Sequence, residues 1–581
     1  MLFLAPKLFG AMLVYVQGAK SIGIDAVPVT VEVNITLGIG IHLVGLADAA
    51  VKESLLRTVT ALQSRGYHIP GKKIVINLAP ADLHKQGSGY DLPIGLGIIA
   101  ASGQGTLPLL GDFLIMGELG LDASIRYVPG TLPMVELARS LGLKGCILPE
   151  MSALEAADYR DVLVFGVKTL DDVLRILGGE EDVSDLLVWN TALYDDAVKR
   201  RSQPVGAYMD FADIVGQDGA KRGVEIAASG GHNLIFLGAP GAGKSSMAKA
   251  LAGILPPMSL EESAVTSKVF SVAGRSSGEA GLMRVRPFRA PHISASKAAM
   301  IGGGSGDNIL PGEVSLATNG VLFLDEFCEA PKSTLEALRA PLEDRAVSIA
   351  RLKQKIRYPA SFMLVAASNP CPCGYYGEGD RCRCTPAQRL AYISKLSGPI
   401  MDRIDLQIWI HPVETSALVR GRKGESSAQI ASRVRLAREI QLERFRGSGI
   451  HVNAEMNSKQ LEQFCPLSDQ CKDVLEKLID QLGLSARAYT RIIKIARTIA
   501  DLDAAAAALR APSASFPATA SAPGPASPED AAALQAAASQ TASASLQTPA
   551  PSPVPVPGPI LPSHLAEAVT YRFLDRRDIY T

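Results

Sequence analysis

Net charge is missing from this 581-residue chain: Lys and Arg together number 58, and so do Asp and Glu. No global field therefore advertises a nucleic acid or a membrane as partner, and any site for a polyanion has to be local. Also missing is an apolar run of the ~20 residues that a membrane-spanning helix needs. The first residues, Met1-Leu-Phe-Leu-Ala-Pro-Lys, are broken by Pro6 and Lys7 and pass into strand-like alternation, so they read as a short extension and not as a signal peptide. These absences lead to the expectation of a cytoplasmic protein without a membrane partner. Cysteine is scarce, eight in all, and Cys146, Cys328, Cys465 and Cys471 stand apart from one another as ordinary buried or half-buried thiols.

What is present is organised in blocks, and the length corresponds to about three or four domains of ~150 residues. Residues 1–180 mix alternating strands such as Val29-Thr-Val-Glu-Val-Asn-Ile with helical stretches, an α/β pattern. A polar passage over 181–204 reads as a linker, and 205–415 as a second α/β domain with a parallel sheet. Residues 416–503 turn helical, with apolar positions three and four apart in Ile430-Ala-Ser-Arg-Val-Arg-Leu-Ala-Arg, a helical lid. Ala, Pro and Ser dominate 504–560, which cannot bury enough surface to offset chain entropy and reads as a disordered insertion. An amphipathic final helix follows over 561–581.

Chemistry concentrates in the second block. An apolar strand, Asn233 to Leu237, runs into Gly238-Ala239-Pro240-Gly241-Ala242-Gly243-Lys244-Ser245-Ser246, and helix-compatible sequence follows. Such a loop closes backbone N–H groups around a polyphosphate, its lysine neutralises the outer phosphates and its hydroxyl ligates magnesium. The following helix turns its positive end to the same place. Val321 to Leu324 reads as a strand buried on both faces that ends in Asp325 and Glu326. Asp325 is placed to hold Mg²⁺ with Ser245, and Glu326 to orient or deprotonate the attacking water. ATP and Mg²⁺ are thus the expected ligands.

Two further clusters stand out. Cys371, Cys373, Cys382 and Cys384 form two Cys-x-Cys pairs, and if each is extended the thiols of a pair share one side. A structural Zn²⁺, a redox disulfide pair or inert thiols are the three readings, zinc leading because stable disulfides are unusual in cytosol. In Arg351-Leu-Lys353-Gln-Lys355-Ile-Arg357 every second residue is basic. On one strand all four would share a face, and with a turn inside the segment they would crowd a hairpin tip, either way suited to phosphate or to solvent.

The series resembles the ComM/YifB family of magnesium-chelatase-like AAA+ ATPases. Besides the two nucleotide motifs it carries Ile76-Asn-Leu-Ala-Pro-Ala-Asp, Asp91-Leu-Pro-Ile-Gly-Leu-Gly, Ser368-Asn-Pro-Cys-Pro-Cys-Gly, Arg438-Glu-Ile-Gln-Leu-Glu-Arg-Phe and Leu484-Ser-Ala-Arg-Ala-Tyr. The resemblance implies a Lon-protease-like N-terminal domain, a central AAA+ module and a C-terminal helical domain of the magnesium-chelatase type. It implies a homo-oligomeric ring, expected to be a hexamer, with DNA as partner and helicase or branch-migration activity in recombination or natural transformation. A chelatase motor subunit and a protein remodeller are the alternatives. Residue by residue it places Asn369 as sensor one, Arg487 as sensor two with Arg491 as runner-up, and Arg403 as a finger reaching a neighbour's γ-phosphate. It sets the basic stretch at a hairpin facing the pore. Where Lon has a serine nucleophile and a lysine base this chain has Gly89, with Ser88 out of register, and Gly130 to Leu132, so a non-proteolytic domain is expected.

Overall fold

The computed structural model describes residues 13–46, 48–85, 87–201, 209–276, 280–304, 309–350, 355–396, 398–413, 424–484, 486–510 and 557–575. In the N-terminal part, period-two alternation produces a seven-stranded mixed sheet. Its order is Gly40–Val44, Lys73–Ala79, Asp25–Thr36, Val14–Ile22, Phe113–Ile115, Gly145–Pro149, Leu163–Val167. Val29, Val31 and Val33 turn one face of the long strand Asp25–Thr36 inward and are fully buried. The helix Asp91–Ala101 is apolar all round and lies inside, buried over Asp91 to Ala100. It approaches the sheet so closely at Gly97 that an added Cβ would stand 2.4 Å from Val33 Cγ2.

The expected linker over 181–204 is a correction. Two 3₁₀ turns, Ser184–Leu186 and Val188–Asn190, and the helix Ala192–Arg201 occupy its described part, 181–201, and Leu186, Val188 and Ala197 join the N-terminal core. The polar residues between them are the solvent side of short helices, which composition alone reads as a loop. The Arg160 guanidinium stacks 4.8 Å above the Trp189 ring and adds to the attachment.

The central sheet has five strands in the order Phe288–Arg289, Val321–Leu324, Met363–Ser368, Leu234–Leu237, Leu406–Trp409, all parallel. Its inner strands Val321–Leu324, Met363–Ser368 and Leu234–Leu237 are apolar but for Ser368 because both faces are covered. Leu234 and Phe236 pack toward the helices of the C-terminal part, Ile235 and Leu237 toward the opposite face. The first strand in this order, Phe288–Arg289, is flanked by charged residues that fasten it. There Arg286 is forked onto Glu262 and Arg289 onto Glu313.

The C-terminal part is helical, built on Ser427–Arg444, Asp469–Leu482, Ala486–Arg510 and Pro562–Thr570. The boundary expected at residue 503 falls inside a helix that continues to Arg510 and buries Ala505. Alanine is the strongest helix former, so the start of an alanine-rich tract extends a helix already nucleated. At the far end of the insertion Ile560 is buried and its carbonyl accepts from Cys471 Sγ at 3.3 Å. Of the 504–560 segment expected to be disordered, 504–510 is helical, and 511–556 lies outside the described residues. No helix among the described residues is long and apolar enough to cross a membrane.

Helical and central parts are joined through buried charge. His232 Nδ1 faces Asp405 Oδ2 at 3.2 Å, its Nε2 faces Thr498 Oγ1 at 2.8 Å, and Arg491 pairs with the other Asp405 oxygen. Burial works to raise the Asp405 pKa, but Arg491 and His232 outweigh it and hold it below the usual carboxylate range. Burial pushes the His232 pKa down, and Arg491 already balances the carboxylate, so the imidazole is neutral. With a folded pKa below the ~6.5 of an unfolded histidine, its contribution to stability is present above that pH and is lost as pH falls through the folded value. Melts of the parent chain are expected to lose up to about 1.4 kcal/mol per pH unit below ~6.5 from this group. His232→Gln should flatten that slope, and equal slopes in the two proteins would refute the assignment.

Candidate nucleotide site and cysteine cluster

Leu237 ends the central strand and hands the chain to the loop Gly238–Gly243, after which Lys244–Ile254 is helical. Gly241 and Gly243 have φ of 80° and 95°, in the left-handed region that favours glycine. A Cβ at Gly238 would lie 2.2 Å from the carbonyl oxygen of Ile410, just past the neighbouring strand Leu406–Trp409, so the close backbone there also demands glycine. Ala239 and Ala242 are buried beneath the loop, Pro240 is exposed and Ser246 is half-buried at the helix start. The backbone thus wraps a concave, N–H-rich space at a helix N-terminus.

Sheet order decides what meets there. Strand Met363–Ser368 lies between the loop strand and Val321–Leu324, with Leu237 beside Ser368 and Leu324 beside Ala366. Gly238, Asn369 and Asp325 therefore leave the same carboxyl edge, where parallel sheets bind ligands. Lys244 is buried, and its Nζ donates to Gly238 O at 2.6 Å, Ala239 O at 3.0 Å and Asn369 Oδ1 at 3.1 Å. Burial lowers its pKa, with Asp325 opposing. Ser245 Oγ donates to Asp325 Oδ2 at 2.9 Å. A hydroxyl and a carboxylate held together in this way are the hard-oxygen donors that Mg²⁺ takes. Glu326 is exposed beside them with φ of 49°, a strained conformation for a side-chain-bearing residue of the kind found at functional sites.

Arg403 belongs elsewhere in the same chain. Asn233, at the opposite end of the loop strand, donates from Nδ2 to the Arg403 carbonyl at 2.9 Å. The Arg403 guanidinium donates to the Pro399 carbonyl and pairs with Glu343, a partner nothing in the sequence pattern marked. Arg487 lies on helix Ala486–Arg510, and its side chain is outside the described residues. Arg491 is a correction: its fork is spent on Asp405 and the Asp402 carbonyl, at the sheet end away from the loop, so it is a structural ion pair.

The Cys371, Cys373, Cys382 and Cys384 thiols converge, all within 4.8 Å of one another. Cys371 Sγ lies 3.3 Å from Cys373 Sγ and 3.8 Å from Cys382 Sγ, and Cys373 Sγ lies 3.7 Å from Cys382 Sγ. The first pair is not extended as the alternation argument required. It sits in a turn closed by Gly374 N–H donating to Cys371 O at 3.0 Å, which brings its sulfurs together by curvature. The Tyr375 backbone N–H lowers the Cys373 thiol to about 6, while desolvation and the neighbouring sulfurs push Cys382 and Cys384 up, so the metal-free cluster favours one thiolate among protonated thiols. Cys146, Cys328, Cys465 and Cys471 are buried singly.

The basic stretch resolves into a hairpin, Ala346–Ala350 against Lys355–Pro359, in which Ala350 pairs with Lys355 and Ser348 with Arg357. Lys355 and Arg357 face solvent, while Ile356 and Tyr358 face a small core shared with Ile22 and Ile24 at the turn of the first N-terminal hairpin. Lys355 and Arg357 thus share one face of the second strand. Arg351 and Lys353 lie outside the described residues. In the N-terminal part the Ser88 hydroxyl donates to the Glu118 carboxylate. A Cβ at Gly89 would meet Met116 and Val128, apolar neighbours with no base to offer.

Known proteins align with this arrangement. The family described as "Magnesium chelatase, subunit ChlI" matches residues 210–418, "Subunit ChlI of Mg-chelatase" matches 31–152, and "Magnesium chelatase, subunit ChlI C-terminal" matches 424–512. The competence protein ComM of Haemophilus influenzae is 43% identical over 492 residues, covering 84% of this chain and 94% of that protein. The uncharacterized protein YifB of Escherichia coli is 41% identical over 503 residues, 84% of this chain and 93% of its own. The archaeal Lon protease of Methanocaldococcus jannaschii is 27% identical over 150 residues, 26% of this chain and 23% of the protease.

Proposed function

Because the chain belongs to the ComM/YifB family of magnesium-chelatase-like AAA+ ATPases, we propose that it is a ring-forming, ATP-driven motor that moves on DNA, acting as a helicase or in branch migration. The observation that carries the DNA part is the hairpin Ala346–Pro359, which presents Lys355 and Arg357 to solvent between the strand of Asp325 and the strand of Asn369. Force from a nucleotide site can pass into such a hairpin through the two strands it connects. Its cations suit phosphate and carry little sequence preference, so binding should weaken with salt. The competence named for the Haemophilus relative agrees with DNA as the substrate.

In this reading the loop Gly238–Ser246 holds ATP, and Lys244 leaves its own-loop carbonyls to meet the phosphates. Ser245 and Asp325 hold Mg²⁺, which when bound neutralises charge developing on the phosphates. Glu326 accepts the proton of the attacking water, and Asn369 sets that water against the γ-phosphate. Arg487 reports the γ-phosphate from the lid helix, and Arg403 completes a neighbouring site in a homo-oligomeric ring, read as a hexamer. Cys371, Cys373, Cys382 and Cys384 hold a structural Zn²⁺. The N-terminal domain, with Ser88 on a carboxylate and no lysine partner among its described contacts, is non-proteolytic and supports the ring.

The test is ATP-dependent displacement of a labelled strand from forked and four-way DNA, with Lys244→Ala as control. Unwinding by the parent and none by the variant is the expected result, because loss of the lysine leaves the phosphates without their buried cation. Hydrolysis that is intact but indifferent to DNA would overturn the DNA reading and point to a protein or porphyrin-related partner. Equal ATP turnover in parent and variant would overturn the nucleotide site itself.

A further inference from the structure

The cysteine cluster touches the nucleotide loop. Asn369 and Cys371 are separated only by Pro370, and Pro372 separates Cys371 from Cys373, so two fixed φ angles lie within this short segment. Gly374, with φ of 85°, comes next and packs on the loop: a Cβ there would lie 2.9 Å from Pro240 Cδ and 3.8 Å from Asn369 Cγ. Further along, a Cβ at Gly377 would lie 3.0 Å from Trp409 Cζ2, and the Tyr376 ring meets Trp409 edge-on at 6.2 Å. Trp409 sits beside Leu237, the last residue before the loop. The cysteine turn is therefore seated across the mouth of the loop and the strand next to it.

The sulfur separations of 3.3, 3.7 and 3.8 Å lie near the ~3.8 Å edge of a tetrahedron with metal–sulfur bonds of about 2.3 Å, the zinc–thiolate value. Resting on the nucleotide-site and zinc readings, we infer that the tetrathiolate site is a positioning brace for ATP hydrolysis: a thiophilic divalent ion, zinc by its chemistry, ties Cys382 and Cys384 to the Cys371–Cys373 turn and thereby holds Gly374 on Pro240 and Asn369 on Lys244. The metal stays off the reaction path. Its work is to close a loop whose two ends would otherwise be joined by small contacts alone, and to hold the Asn369 carboxamide within reach of the ammonium. Misplacement of a positioning group by ~1 Å can cost about 10²-fold in rate, so a brace at this point has leverage on turnover.

The test uses the full-length protein purified without added metal. Mass spectrometry should find close to one zinc per chain in the parent and almost none in the Cys382→Ser, Cys384→Ser double variant, with turnover down by about 10²-fold. Gly374→Ala keeps all four thiols but forces a Cβ against Pro240 in a backbone conformation that alanine adopts poorly. It should keep its zinc, melt somewhat lower because of that strain while staying folded at the assay temperature, bind a fluorescent ATP analogue with affinity close to the parent's, and lose turnover through kcat. A general folding defect would instead lower the melting temperature and binding together, and would overturn the brace. Parent protein with near-zero zinc overturns the metal site, and Gly374→Ala with zinc bound and turnover unchanged overturns the coupling. Failure of the nucleotide reading is a separate result, read from Lys244→Ala against the parent.

Discussion

Glu326→Gln is expected to bind ATP as the parent does and to turn it over about 10²- to 10⁴-fold more slowly, the usual worth of a positioned proton acceptor. The side chain leaves the carboxyl edge of the central sheet directly after Asp325, exposed and in a left-handed backbone conformation. The Ser245–Asp325 pair remains intact in the variant because Asp325 supplies the accepting oxygen. Gln keeps the size and the hydrogen-bonding shape of Glu but cannot take a proton at neutral pH. Binding of labelled ATP with single-turnover hydrolysis separates the two effects, and a variant with parental turnover would remove Glu326 from the chemistry.

Arg403→Ala is expected to lower hydrolysis by ~10³-fold or more while ATP binding survives, the effect of losing an arginine finger supplied by a neighbour. Within one chain Arg403 is tied to Glu343 and the Pro399 carbonyl, and its own carbonyl is held by Asn233 at the end of the strand remote from the loop. The guanidinium thus has no route to its own Lys244 across the sheet, and a role in hydrolysis requires a second copy. Complementation follows. Arg403→Ala subunits keep a sound nucleotide loop, and Lys244→Ala subunits keep a sound arginine. Mixtures of two inactive proteins should recover part of the parental activity. Full activity of Arg403→Ala alone, or no recovery on mixing, would return Arg403 to the status of a surface ion pair.

Local signals carried far in this chain because the chemistry of the loop is local. Gly241 and Gly243 are required by backbone angles, Lys244 follows them by sequence, and the apolar strands that flank the loop and precede Asp325 are readable from runs of buried residue types. Arg491 and Arg487 could not be sorted in this way, since both lie on the same helix a turn apart. Only the packing of Arg491 on Asp405 separates them. The polar passage before residue 204 misled for a related reason: amphipathic turns that bury Leu186 and Val188 have the composition of a linker until a core is supplied.

By itself the sequence determined the elements whose cause lies within a few residues. These are the phosphate loop, the buried strand ending in two carboxylates, the paired cysteines, the helical periodicity of the lid, and the family resemblance those strings carry. Tertiary structure alone decided that Asn369 meets Lys244, that Ser245 meets Asp325, that the first cysteine pair converges through a turn, and that Gly374 rests on Pro240. It also decided that Lys355 and Arg357 sit on one strand of a hairpin and that the alanine run prolongs a helix to Arg510. The division has a physical basis. Backbone angles and burial periodicity are properties of neighbouring residues, whereas the meeting of groups as far apart as Lys244 and Asn369 depends on strand order, a product of how the whole sheet packs.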